Sequence, residues 1–131
     1  MGCKMAVNRD IEGPIHRSII AYLKQVLPGA VIHHGANEFG MSGPLIARQI
    51  AKNKFNGMLV GWPDIIVLPD AEIGPIFFEV KAPKGNPTKQ QWELLMRLSD
   101  LGYKTGIVDS IEDVAAYLEE WSIETMGKGN G

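Results

Sequence analysis

Residues 61–83 read GWPDIIVLPDAEIGPIFFEVKAP. Two apolar runs, 64–68 and 75–82, flank a short connection containing Pro69, Asp70, Gly74 and Pro75. That pattern predicts two strands of an antiparallel hairpin. The second run carries two charges, Glu79 and Lys81, two residues apart. Residues i and i+2 of a strand point to the same face, so Glu79 and Lys81 share one, while Phe78 and Val80 take the other. Burying a charged pair often fails to recover its desolvation cost. Something else must make the arrangement worthwhile. If Asp64 lies opposite Lys81, then Ile66 faces Glu79 and Leu68 faces Phe77. Cross-strand neighbours share a face, so Asp64, Glu79 and Lys81 would cluster. A slip of one residue would send Asp64 to the opposite face.

Outward from the hairpin, residues 15, 19, 20, 23, 26 and 27 are apolar at helical spacing, predicting a first helix from about 10–14 to 27. Pro14 is tolerated only in its first turn, and Pro28-Gly29 ends it. Residues 30–34 (AVIHH) read as a short strand, 35–42 as a loop, and 44–53 (PLIARQIAKN) as a helix with Arg48 and Lys52 along one edge. After the hairpin, 88–101 reads as a helix stopped by Gly102, 103–109 as a strand, and 111–121 as a helix capped by Ser110. The expected fold is α/β, with a mixed central sheet of about four strands flanked by helices.

The chain has 131 residues, 45% hydrophobic and 21% charged, as expected of one globular domain spanning 1–131. Residues 1–9 and 125–131 are expected to be flexible. No apolar run approaches the ~18 residues of a membrane span, and no signal peptide is visible, so no membrane association is expected. Cys3 is the only cysteine, which rules out an internal disulfide and a cysteine-based metal site and makes a reducing cytoplasm the natural setting. The small size also suits a bacterial or phage source. Net charge is −2, but residues 1–54 carry seven Lys/Arg against three acids, while 109–124 carry six acids and no Lys or Arg. This segregation allows a basic face for a polyanion on an acidic protein.

Two converging carboxylates repel unless a cation sits between them. Hard oxygen ligands select Mg²⁺ or Mn²⁺, and Mg²⁺ usually takes one or two carboxylates and keeps several waters. Such a cation lowers the pKa of water and shields phosphate charge, and a neighbouring lysine can orient the nucleophile or stabilise developing charge. Asp64, Glu79 and Lys81 therefore match phosphodiester hydrolysis. The spacing is equally compatible with a surface Asp and a Glu–Lys pair at a sheet edge.

The ordered motifs are more specific. Residues 61–64 (GWPD) followed by 79–81 (EVK) resemble the core of PD-(D/E)XK nucleases. More narrowly, the chain resembles a stand-alone VRR-NUC domain over roughly 11–109. The resemblance includes Glu12 ahead of GPIHRSIIAYL, with His16 where Gln is usual, then Asn37-Glu38, residues 57–64 (GMLVGWPD), and residues 83–91 (PKGNPTKQQ). It implies a restriction-endonuclease-like core in αβββαβ order, which agrees with the element order read above apart from one helical insert. It further implies that Asp64 and Glu79 ligate the metal, with the Val80 backbone carbonyl as third ligand. Lys81 would serve the attacking water, Glu12 would approach the metal directly or through water, and Gln91 would lie near the site.

Each assignment has a plainer counterpart. Glu12 suits a helix N-terminus electrostatically. Thr88-x-x-Gln91 is a capping-box pattern. His33 and His34 face opposite ways in a strand and are read as core or surface residues, not ligands. His16 is read as a helix residue near the site without a base role. Asn37, Arg48, Lys52, Lys54, Lys84 and Lys89 are the DNA-contact candidates. Trp92 and Met96 lie off the Leu94/Leu98 stripe and leave a second apolar patch for an oligomer contact or the last helix. The expected function is a Mg²⁺- or Mn²⁺-dependent endodeoxyribonuclease acting on branched or structured DNA as a homodimer, in the manner of a Holliday-junction resolvase. The alternatives are a flap or restriction-type nuclease and a non-catalytic nucleic-acid-binding module of the same fold.

Overall fold

The computed structural model describes residues 11–35, 48–49, 51–52, 57 and 59–126. Asn37 and Lys54, most of the expected helix over 44–53, and the termini expected to be flexible lie outside these residues, apart from 125 and 126. Arg48, Gln49, Ala51 and Lys52 are helical and exposed.

The order is α1 (Glu12–Val26), β1 (Val31–His34), β2 (Ile65–Leu68), β3 (Ile76–Val80), α2 (Lys89–Asp100), β4 (Lys104–Val108) and α3 (Ile111–Glu120). The strands form one mixed sheet in the order β1-β2-β3-β4. β1–β2 and β2–β3 are antiparallel and β3–β4 is parallel. The parallel pair requires a crossover, which α2 supplies. No helix among the described residues is long and apolar enough to cross a membrane.

The hairpin register differs from the sequence expectation by two residues. Ile65 pairs with Phe78, Ile66 with Phe77 and Val67 with Ile76. Continued by one position, the register sets Asp64 against Glu79, not Lys81. The connection explains the difference. The Ile73 N–H donates to Asp70 Oδ1 at 2.8 Å, and the Gly74 N–H donates to the Asp70 carbonyl at 2.9 Å. This closes the turn on Asp70–Ile73 and draws the second strand back. An even shift preserves parity, so the charged set keeps its common face.

Both faces of β3 are covered, and all five of its residues are buried. On one face, Phe78 and Val80 join Ile19 and Leu23 of α1 and Val114 and Leu118 of α3 in the main core. On the other, Phe77 packs with Leu94 and Leu98 of α2, against Ile66. α2 begins with a complete capping box. Thr88 Oγ1 accepts from the Gln91 N–H at 3.1 Å, and Gln91 Oε1 accepts from the Thr88 N–H at 2.8 Å. Ser110 caps α3 by accepting from the Asp113 N–H at 3.1 Å. These caps satisfy amide groups that lack intrahelical partners.

Candidate active site

The charged residues of the hairpin meet where β2 begins and β3 ends. Asp64 and Glu79 are among three buried polar or charged side chains of the described residues; His16 is the third. Asp64 is held from both sides. Its Oδ2 accepts from the Val80 N–H at 2.8 Å, and its carbonyl accepts from the Gly35 N–H at 2.8 Å. The side-chain bond ties the start of β2 to the end of β3 and fixes the carboxylate beside Glu79.

Glu79 is 1% exposed, and neither carboxylate oxygen has a hydrogen-bond donor among the described residues. Its nearest cation is Lys81, with Nζ 3.8 Å from Oε2 and 14% of its side chain exposed. Burial, and then the charge of Asp64, push the Glu79 carboxyl up to about 8, against the opposing pull of Lys81. A buried acceptor group without donors is costly. Two carboxylates so placed can share a proton or hold a cation between them.

Glu12, in the first turn of α1, reaches the same end of the sheet, where its Oε2 accepts from the Ala82 N–H at 3.4 Å. Lys81 is anchored through its backbone, its N–H donating to the Val108 carbonyl at 2.9 Å. Gln91 is half-buried, with its side-chain oxygen engaged in the capping box. Lys84, on the segment joining β3 to α2, and Lys89, the first residue of α2, are exposed. The structure thus brings Asp64, Glu79, Lys81 and Glu12 together, with Gln91 at the start of the neighbouring helix.

Gly61 positions the approach to Asp64. Its φ is +88°, and a Cβ there would stand 2.7 Å from the Gln90 backbone. Only glycine allows this close approach of the 61–64 segment to α2. Trp62 then lies edge-on to Phe77, with ring centroids 5.8 Å apart.

Among the described residues, no three His, Cys, Asp or Glu side chains close into a metal cage. The donor set fits a hard divalent cation nonetheless: two adjacent carboxylates, one with both oxygens undonated, are the usual protein share of a Mg²⁺ site. His33 is exposed, as read from the sequence. His16, from α1, is buried with its ring centroid 4.0 Å from that of His34. Burial, and then His34, hold the His16 pKa below its ordinary value. Sequence reasoning placed His16 near the site but missed its pairing with His34, since helix and strand periodicity carry no sign of that contact.

Two solved structures share this architecture. One, named "VRR_NUC domain protein", superposes with a TM-score of 0.62 at 19% identity, over 85% of this chain and 87% of that chain. The other, named "VRR_NUC domain", gives a TM-score of 0.54 at 20% identity, over 82% of this chain and 94% of that chain. No family model matches the sequence, and no curated protein matches it.

Proposed function

We propose that this chain, which has the fold of VRR-NUC domain proteins, is a metal-dependent nuclease that hydrolyses phosphodiester bonds in DNA. The observation that carries this reading is the pair Asp64 and Glu79, buried side by side with Lys81 Nζ 3.8 Å from Glu79. An ion-pair role alone accounts poorly for it, because Glu79 lacks donors and Asp64 adds repulsion.

In this reading Asp64 and Glu79 hold Mg²⁺ or Mn²⁺, with the Val80 carbonyl as third protein ligand and Glu12 acting through water. When bound, the cation supplies positive charge to the phosphate and acidifies water. Val80 N–H keeps Asp64 oriented. Lys81, tethered through its backbone to β4, presents its ammonium to the attacking water and to the charge that develops on the phosphate. In-line attack leaves 5′-phosphate and 3′-hydroxyl ends. Arg48, Lys52, Lys84 and Lys89, exposed in the structure, contact substrate phosphates together with Asn37 and Lys54. Gln91 serves the helix cap first and lies close enough in sequence to Gly61's contact to border the site.

The substrate we favour is branched DNA, read by shape. Trp92 and Met96, about one turn apart and exposed on α2, offer an apolar contact for a homodimer able to address two strands of a junction. The test uses labelled duplex, flap, splayed-arm and four-way-junction DNA with Mg²⁺, Mn²⁺ or EDTA, and Asp64→Ala in parallel. Two symmetric, metal-dependent nicks in the junction, lost in the variant, are the expected result. Cutting restricted to flaps would discard the junction substrate. Tight binding without cleavage in either metal would replace the nuclease by a binding module.

A further inference from the structure

One stripe of α1 borders the core and is partly open: Gly13 and His16 are buried, Ile20 packs against the core, and Arg17, Ala21 and Lys24 are exposed. Positions 13, 16, 17, 20, 21 and 24 recur at the three- and four-residue steps that place side chains on one helical face. With His34 of β1, this stripe lines a cavity of about 520 Å³. Its surface is mostly apolar, with Gly13, Ile20 and Ala21 along the floor. Arg17 and Lys24 supply two cations, and no acidic residue lines it among the described residues. Both cations are exposed, while His16 and His34, in ring contact, close one side.

The groove adjoins the carboxylates. Glu12, one turn before His16 on the same helix, is bonded to Ala82 at the end of β3. His16 feels the charge of Asp64. Gly35, directly after His34, donates to the Asp64 carbonyl at 2.8 Å. The N-terminal end of the groove therefore reaches the active-site end of the sheet, and the C-terminal end leads away along α1.

We propose that this face of α1 is a track for one DNA strand leaving the active site, with Arg17 and Lys24 on successive parts of its phosphate backbone. The proposal rests on the nuclease reading above. Seven residues of α-helix rise about 10.5 Å. A strand of duplex advances about 3.4 Å per nucleotide, so the two cations span about three nucleotides. Charge complementarity selects the occupant: two cations with no acid among the described lining residues suit a polyanion, and the open, mostly apolar floor admits sugars. An anionic peptide lacks the regular charge spacing that an i,i+7 pair of cations matches.

The experiment measures binding of a fluorescent single-stranded oligonucleotide, and of the junction, across a salt series in EDTA. It compares wild type, Arg17→Ala/Lys24→Ala and Ala21→Glu. All three positions are exposed, and unfolding midpoints check that the variants fold. The double variant should bind about tenfold more weakly, with a log–log salt slope smaller by about two, since each lost phosphate contact removes about one. Ala21→Glu, which adds a negative charge at mid-groove, should weaken binding while leaving both cations in place. Unchanged slope and affinity in both variants would overturn the track. So would unchanged binding with a lowered unfolding midpoint, because the stripe would then be covered by the chain itself. Wild type that cuts DNA while both variants bind normally removes this proposal alone; wild type that neither cuts nor binds removes the nuclease reading with it.

Discussion

Glu79 is a buried carboxyl beside a second carboxylate, with no hydrogen-bond donor among the described residues. Its carboxyl is held at about 8 by burial and Asp64, against an ordinary value near 4.5. The folded state thus binds this proton more tightly than the unfolded chain does. The associated stability is fully present below about pH 4.5 and is lost as pH rises through about 8. Glu79→Gln should flatten that decline in metal-free protein and raise the unfolding midpoint at pH 8 by several degrees, read by thermal scans across pH. Mn²⁺ should raise the wild-type midpoint at pH 8 and leave Glu79→Gln nearly unmoved, because ligand that binds only the folded state stabilises it. Metal protection equal in both proteins would remove Glu79 from the site. Lys81 behaves differently. Lys81→Ala should cut the cleavage rate by about 10²–10⁴ with DNA binding largely retained, measured by single-turnover kinetics and anisotropy. Undiminished cleavage would sink its assignment.

Two local devices set the geometry of α2. The capping box of Thr88 and Gln91 predicts that Thr88→Ala costs about 1 kcal/mol in chemical denaturation. Gln91→Ala should cost a similar amount, since it removes the reciprocal half of the box. Activity separates the two roles: a site function for Gln91 requires a rate loss well beyond that of Thr88→Ala. Gly61 is the second device. A Cβ there meets the Gln90 backbone at 2.7 Å and demands φ of +88° of an L-residue. Gly61→Ala should destabilise by about 2 kcal/mol or more, and should lower the cleavage rate further by displacing the segment that leads to Asp64. A variant as stable as wild type would show that 61–64 and α2 do not pack as described.

Across the whole molecule, the sheet is a frame with helices on both faces, and the candidate site lies where β2 begins and β3 ends. Arg48, Lys52, Lys84 and Lys89 are exposed outside α3, which carries Glu112 and Asp113 in its first turn. Binding to DNA should therefore depend steeply on salt despite the net charge of −2. The proposed homodimer makes a separate prediction. Sedimentation should show a dimer that Trp92→Glu/Met96→Glu converts to monomer, with paired junction nicks becoming single ones. A monomeric wild type that still makes paired nicks would place the second active site elsewhere.

Sequence alone determined the elements from 12 to 34 and from 65 to 120 and the facing of the charged residues. Strand alternation assigned Glu79 and Lys81 to one face, the turn residues bounded the hairpin, and Thr88 and Ser110 announced their caps. These are properties of residues a few positions apart, so local periodicity and steric rules reach them. The register was beyond that reach. Parity follows from alternation, but a shift of two residues leaves alternation unchanged, and only the turn bonds at Asp70 placed Asp64 against Glu79. The same holds for His16 against His34, for Glu12 at Ala82 and for the groove along α1. Each depends on how α1 docks on the sheet. That docking is decided by burial of Ile19, Leu23 and Val26 in a core shared with β2, β3, β4 and α3, a condition that no single stretch of chain contains.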